Sequence, residues 1–428
     1  MTWEQVLAYL DARPPRGERR GLERMRALMH DLGDPQAQVS FVHIAGTSGK
    51  GSTAAFTESI LRACGYRTGL FLSPHVYDFR ERIQLGGEMA SPELLAQVFT
   101  EMRPALDRFD AAGDPCAYFE VLTALALCTF AKAGVQVGVL EVGIGGLLDS
   151  TNVIPPPLAA AVCAISLEHT NILGSTLSEI AAQKCGILKP GTRAAGYCDL
   201  APEARAVLEE TCRREKIPLH VADPSRLTIE RETGHGSEFT YEGETWRVSL
   251  AGRHQVYNAL TALMLVRCLR EGGLALPDAG VARGLEQASL AGRMEIVRED
   301  PICILDGAHN PGKMAALMSS LAELYPGRSR ITLMGIMERK AHAACTALAA
   351  RGSRVFIAVP AEEGTDLSLP TAQLAQEAMP FCPEVYCCPT AREGARLARS
   401  LAGKDEIILA CGSMYLLEEA KKGFLDPI

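Results

Sequence analysis

No stretch of the 428 residues approaches the roughly 18 consecutive apolar positions that a membrane-crossing helix requires. The start, Met1-Thr-Trp-Glu-Gln-Val, has no basic segment leading into an apolar one. A membrane span and a secretory leader are thereby set aside, and a cytoplasmic location is expected. Blocks of like charge are also missing. The formal net charge of −8 offers no broad positive field for nucleic acid, so any anionic ligand must be held by local basic groups. The chain has fourteen cysteines but no Cys-x-x-Cys spacing, and its only close pair is Cys387-Cys388. That pattern excludes a zinc-knuckle type of site and a small disulfide framework, and fits buried free thiols in a reducing compartment. Neither internal repeats nor low-complexity tracts are evident, although Pro155-Pro156-Pro157 marks a stiff turn.

What the chain does have is length for two domains, each able to bury a sizeable core. Apolar β-rich runs alternate with helical periodicity, the pattern of a largely parallel sheet covered by helices on both faces. Strands are expected at 41–45, 68–72, 136–141, 159–165, 193–196 and 217–221, with helices at 52–64, 92–108, 118–133, 176–185, 201–213 and 254–270. Between 225 and 250, short polar–apolar alternation around Gly234, Gly236 and Gly243 predicts antiparallel hairpins. A second βα series follows, with strands near 302–306, 330–335, 354–358 and 406–410, and the boundary is placed near 296.

The apolar run Phe41-Val42-His43-Ile44 leads into Ala45-Gly-Thr-Ser-Gly-Lys-Gly-Ser52 and then into an amphipathic stretch. A glycine-rich turn joining a strand to a helix is a phosphate cradle. Its glycines let backbone N–H groups approach an anion, Lys50 supplies a point charge, the helix start adds its positive end, and Ser52 offers a hydroxyl to magnesium. The spacing departs from G-x-x-x-x-G-K-[ST], since Gly51 separates the lysine from the hydroxyl, and an ordinary strand-to-helix turn accommodates the same residues. Three further strands end in polar groups: Ser73 of Leu72-Ser-Pro-His75, Glu141 before Val142-Gly-Ile-Gly-Gly146, and His169 of Glu168-His169. The carboxyl edge of an open α/β sheet is where ligands bind. A buried Glu141 needs a cation, and serine, glutamate and histidine with oxygen-rich neighbours suit Mg²⁺ completed by water and phosphate oxygens. A lone histidine after a strand is more often structural, and it is the repetition of polar groups at strand ends that points to a metal.

The motifs Gly46–Ser52, Leu72–His75, Phe79-Arg-Glu-Arg-Ile83, Tyr118-Phe-Glu-Val-Leu-Thr123, Glu141–Gly146, Asp149-Ser-Thr-Asn152, Leu305-Asp-Gly-Ala-His-Asn-Pro311 and Cys411-Gly-Ser-Met-Tyr415 together resemble folylpolyglutamate synthase, often bifunctional with dihydrofolate synthase, of the Mur ligase superfamily. The resemblance spans nearly the whole chain. It implies an N-terminal P-loop ATPase domain over 1–295, α/β with a mostly parallel sheet and a small antiparallel sheet. A C-terminal Rossmann-like α/β glutamate-ligase domain would occupy 296–428. It also implies ATP-dependent amide ligation, in which a folate carboxylate is phosphorylated and the amine of L-glutamate displaces phosphate. The substrates would be ATP, L-glutamate, and dihydropteroate or tetrahydrofolates, with no nucleic acid or membrane partner and a monomeric enzyme. The acyl phosphate needs shelter from water, which a hinge near 292–298 would provide.

Carried over position by position, the resemblance gives ATP to Thr47, Ser48, Gly49, Lys50, Gly51, Ser52, Asn258, Arg293 and Asp306. It gives two Mg²⁺ ions to Ser52, Ser73, Glu141, His169 and a carbamylated Lys184, which lies in Ile180-Ala-Ala-Gln-Lys-Cys-Gly-Ile-Leu-Lys-Pro-Gly191. Lys50, Lys184 and His309 take the catalytic roles, His309 standing where a base for the glutamate amine is expected. Arg20, Gly21, Phe119, Glu120, Leu148, Asp149 and Ser150 face the folate. For several of these a structural reading stays open: Lys184 as a lysine at a helix end, Phe119 as core, Asp306 and Asn310-Pro311 as strand end and helix cap. Leu147 stands where family members commonly have arginine, and Glu338-Arg339-Lys340 keeps the lysine but not the preceding acid. The competing readings are a peptidoglycan-precursor ligase of the same superfamily and a nucleotide-binding switch that ligates nothing.

Overall fold

A computed structural model describes residues 1–14, 21–361 and 367–427. Its contacts divide the chain into two compact units, one made of 1–73, 80–227 and 257–288, the other of 74–79, 228–256 and 289–428.

The first unit is built on an eight-stranded sheet: β1 (Ser40–Ala45), β2 (Thr68–Phe71), β3 (Ile83–Leu85), β4 (Glu88–Met89), β5 (Val137–Glu141), β6 (Ala159–Val162), β7 (Arg193–Gly196) and β8 (Leu219–Val221). The order is β4-β3-β2-β5-β1-β6-β7-β8. All six strands predicted here form, and β2, β5, β1, β6, β7 and β8 run parallel. The hairpin β3–β4 was not anticipated; it pairs antiparallel on β2. Its signal is Gly86-Gly87, both at positive φ (59° and 85°), the requirement of a two-residue primed turn.

Helices form close to where periodicity placed them, among them Lys50–Ala63, Pro92–Ala111, Tyr118–Lys132, Leu177–Cys185, Pro202–Glu215 and Arg253–Glu271. The helix Lys50–Ala63 is buried from Ser52 to Leu61, because helix Asp278–Gln287 lies directly on it. That approach needs glycine: a Cβ at Gly284 would sit 2.3 Å from the Ile60 Cα, and one at Gly280 2.5 Å from the Cys64 Sγ. The helix that follows the glycine-rich loop is thus wedged between sheet and helix and has little freedom to shift.

In the second unit, β9 (Leu227–Thr233), β10 (Gly236–Tyr241) and β11 (Glu244–Val248) form the expected small antiparallel sheet. By contacts residues 228–256 group with this unit, whereas the boundary near 296 had assigned them to the first. The main sheet comprises β12 (Glu295–Glu299), β13 (Ile302–Leu305), β14 (Arg330–Met334), β15 (Ser353–Ala358), β16 (Glu384–Cys387) and β17 (Ile407–Cys411), ordered β12-β13-β17-β14-β15-β16. It is parallel except for β12, so it is the Rossmann-like layer expected, with two edge strands, β12 and β16, that short half-exposed runs did not reveal.

Arg330 locks one corner of this sheet. Its buried guanidinium donates to Thr332 Oγ1 (3.0 Å), Ala349 O (2.8 Å) and Arg351 O (2.7 Å). Arg330→Met leaves those carbonyls short of a donor and is expected to lower stability by about 2–4 kcal/mol, read as a lower urea midpoint at unchanged m-value. A midpoint within experimental error of the parent would show that water replaces the guanidinium without cost. The cysteines are all free and most are buried. Among the described residues, no helix is long and apolar enough to cross a membrane.

Candidate active site

Because β2, β5, β1 and β6 are adjacent and parallel, their carboxyl ends open on one edge, with Ile44 level with Glu141 and Ala45 level with Val162. The loop after β1 turns through Gly49 at φ 82°, a conformation that favours glycine, and Lys50 opens the helix. Gly46 sits against Cys163 so closely that a Cβ would come 2.7 Å from the cysteine Cβ, and a Cβ on Gly49 would meet Asn258 Oδ1 at 2.3 Å. Buried Asn258 therefore packs directly on the loop.

Not every loop amide faces inward. The Thr47 and Ser48 N–H groups both donate to Ala164 O (2.8 and 3.2 Å), and Thr47 Oγ1 is linked to the main chain of Ser166 in both directions at 3.1 Å. These bonds tie the loop to the segment after β6 that ends in His169, itself at φ 53°. The amides at the helix start, Lys50 to Ser52, have no partner inside the helix.

Lys50, Ser73 and Glu141 do meet. Lys50 Nζ is 3.9 Å from Glu141 Oε1, and the Ser73 N–H donates to Glu141 Oε2 at 3.0 Å. Glu141 is 6 % exposed, so the cation its burial demanded is Lys50. Lys184, on helix Leu177–Cys185, is 3 % exposed and its Nζ donates to Gly46 O at 2.9 Å. It is thus turned onto the glycine-rich loop and is not a surface lysine. Among the described residues, no three His, Cys, Asp or Glu side chains converge as a metal cage. The set at this edge has one carboxylate with hydroxyls, which suits Mg²⁺ held jointly with substrate phosphates.

Of the residues expected to face folate, Arg20 lies outside the described residues, while Gly21 precedes helix Glu23–Asp31. Phe119 is half-buried and packs on Phe71 (centroids 5.8 Å apart) and on Gly143, where a Cβ would meet its ring at 2.7 Å. Glu120 is committed elsewhere: its Oε2 accepts from Arg24 Nε (2.9 Å) and from the Ala117 N–H (2.7 Å), so it braces a helix start. Asp149 is buried, its Oδ2 accepting from the Ile144 N–H and its Oδ1 from Thr151; burial pushes its carboxyl up while these bonds draw it down. Leu148 is 52 % exposed, and Ser150 starts the short turn that follows.

In the second unit, Asp306 ends β13 and its two oxygens accept from the Met294 and Ala308 N–H groups (2.9 and 2.8 Å), bracing its own loop. His309 Nδ1 is 2.9 Å from Gly307 O, and its Nε2 is 3.4 Å from Lys313 Nζ. The imidazole that position alone offered as a base is therefore held from both sides. Arg293 donates to Gly292 O and reaches Met414 Sδ, both at 3.1 Å.

The sequence reading passed over His43, which is wholly buried in β1 with Nε2 2.8 Å from Thr151 Oγ1. Its signal was a histidine inside an apolar strand just ahead of the glycine loop. Burial, with Lys189 nearby, lowers its pKa to about 3. In the unfolded chain the value is near 6.5, so below that pH the unfolded state takes up a proton that the folded state refuses. Stability therefore falls as pH drops from 6.5 to about 3 and is flat, for this group, below that. The expected loss between pH 8 and pH 5 is about 2 kcal/mol. Urea midpoints across that range should slope less in His43→Gln, and equal slopes would remove His43 as the cause.

Two family models match this chain: the Mur ligase middle domain over residues 44–266 and the Mur ligase glutamate ligase domain over 292–414. A Bacillus subtilis dihydrofolate synthase/folylpolyglutamate synthase is 30 % identical, the match covering 98 % of each chain. A probable bifunctional folylpolyglutamate synthase/dihydropteroate synthase from Halobacterium salinarum is 35 % identical over 95 % of this chain but 49 % of that protein, so the chain spans about half the length of this relative. The Mycobacterium tuberculosis folylpolyglutamate synthase complexed with ADP superposes with a TM-score of 0.89 at 29 % identity, covering 99 % of this chain and 98 % of that one. By end-to-end similarity in both sequence and fold, the chain belongs to the folylpolyglutamate synthase/dihydrofolate synthase family of Mur ligases.

Proposed function

We propose that this chain is an ATP-dependent ligase that joins L-glutamate through an amide bond to reduced folates, and also to dihydropteroate. The observation that carries the reading is the meeting of Lys50, Ser73 and Glu141 beside a glycine loop at one sheet edge, in a chain matching a dihydrofolate synthase/folylpolyglutamate synthase over its whole length. The relatives' names do not favour a peptidoglycan-precursor ligase, and a bare nucleotide switch would have no need of a buried lysine on the loop carbonyl.

The reaction brings together two anions, a carboxylate and the γ-phosphate of ATP, and their repulsion is part of the barrier. Lys50 and the helix-start amides of Lys50 to Ser52 offset that charge at fixed positions. Asn258, packed on Gly49, adds a contact to the nucleotide in this reading. Ser52, Ser73, Glu141 and His169 would hold Mg²⁺, which when bound neutralises phosphate charge. Carbamylation of Lys184 would add a carboxylate-like ligand for a second ion, and the modified nitrogen keeps one N–H for Gly46 O. Carboxylate oxygen attacks the γ-phosphorus, ADP leaves, and the glutamate amine then displaces phosphate from the acyl phosphate. The bend 143–150 with Phe119 receives the pterin end. The division at about 296, a monomeric state and a cytoplasmic location belong to the same reading.

The test is ATP-dependent incorporation of labelled glutamate, run in parallel with dihydropteroate and tetrahydrofolate. Incorporation with both is expected. Incorporation with tetrahydrofolate alone would restrict the activity to polyglutamylation and point to Leu147, and none with either would refute the proposal.

A further inference from the structure

His43 has no part in the chemistry above, yet its surroundings are specific. Thr151, wholly buried, lies 2.5 Å from Asp149 Oδ1 through its hydroxyl and 3.0 Å through its N–H, while the Ile144 N–H donates to Asp149 Oδ2 at 2.9 Å. Three donors favour the ionised form of this carboxylate, against the burial that raises its pKa. With the carboxylate ionised, the hydroxyl's single proton is directed at Asp149, so toward His43 Thr151 can only accept, and His43 carries its proton on Nε2. Among the described residues Nδ1 has no hydrogen-bond partner. An apolar residue would fill the same space without that cost; what histidine adds is a directed donor. The segment is pinned from other sides as well: Lys189 Nζ donates to Asn152 O (2.9 Å) and Ile154 O (2.5 Å), and Asn152 Nδ2 to Leu147 O and Gly186 O, both at 3.1 Å.

We propose that His43 is a positioning residue for the ligation: through the Thr151 hydroxyl it fixes Asp149, and with it the Ile144–Ser150 bend that receives the pterin end of the substrate. The inference rests on the proposed function for the assignment of that bend. His43 itself touches no substrate. It sets the orientation of Thr151, Thr151 holds the carboxylate, and the carboxylate holds the Ile144 amide, so loss of either donor loosens the bend while leaving the phosphate loop after β1 in place.

Four variants test this by steady-state kinetics with ATP, glutamate and tetrahydrofolate or dihydropteroate. Thr151→Val and His43→Leu remove one link each; Thr151→Ser and His43→Gln retain a hydroxyl and an N–H donor. The first two are expected to raise KM for the pterin substrate by about tenfold while KM for ATP stays within about twofold. The conservative pair should recover most of the loss. The double variant His43→Leu/Thr151→Val should be no worse than the poorer single one, since both break one chain. Nitrogen chemical shifts of His43 give a second readout that needs no turnover, with the Nε2–H tautomer expected. KM values for ATP and pterin rising together, failure of both conservative variants to rescue, or an Nδ1–H tautomer would each overturn the role of His43. A parent enzyme that uses neither pterin substrate would instead refute the proposed function, and this role with it; an active parent with indifferent variants refutes His43 alone.

Discussion

Lys50→Ala is expected to lower kcat/KM for glutamate transfer by about a thousandfold, equivalent to roughly 4 kcal/mol of transition-state stabilisation, with the fold retained but the thermal midpoint below the parent's. The size follows from where the charge stands. Lys50 is the first residue of a helix wedged between sheet and helix, so its backbone is fixed, and its amine lies 3.9 Å from a buried carboxylate in a site of low exposure. A cation held there acts on phosphate without first having to be brought into place, and water is a poor substitute. The fold should survive at a lower midpoint, because Glu141 keeps the Ser73 N–H and the helix is held by packing along its length, while the buried carboxylate loses its cation. Lys50→Arg should recover little, since a planar fork does not reproduce a compact ammonium. Single-turnover glutamate incorporation at saturating ATP is the measurement. Activity within a few-fold of the parent would separate Lys50 from the phosphates.

Glu141→Gln should have the second-largest effect. The amide keeps the shape and an oxygen for the Ser73 N–H but removes the negative charge beside Lys50. If Glu141 is the carboxylate that holds magnesium, the Mg²⁺ concentration giving half-maximal rate should rise by about tenfold or more, and kcat should fall by up to about a hundredfold. KM for the pterin substrate, proposed to bind at the bend beyond β5, should change little. Magnesium titrations of parent and variant at fixed ATP decide the matter. Identical Mg²⁺ curves would reduce Glu141 to the counter-ion of Lys50.

Most of the parallel strands and helices were legible because they are local. A period of two or of 3.6 residues and glycine at the turns are written in neighbouring positions, which is why β1, β2, β5 and β6 and the helix Lys50–Ala63 fall close to where they were expected. Glycine-rich turns likewise announced the hairpins β9 to β11. The pair Gly86-Gly87 could have announced β3–β4 by the same rule, and β12 and β16 were missed because short, half-exposed edge runs lack strong alternation.

By itself the sequence determined the family, the two α/β series, the phosphate loop and the list of polar residues at strand ends, since motifs and periodicities are properties of adjacent residues. Only the tertiary structure decided what those residues face. Strand order put Glu141 beside Lys50 and Ser73, turned Lys184 inward onto Gly46, spent the Thr47 and Ser48 amides on Ala164, and committed Glu120 to Arg24. It grouped 228–256 with the second unit and revealed His43 behind Thr151. Each of these depends on partners far away along the chain. Which donors and acceptors become neighbours, and so which side chains stay free for a ligand, is set by long-range strand pairing and packing, which local pattern does not encode.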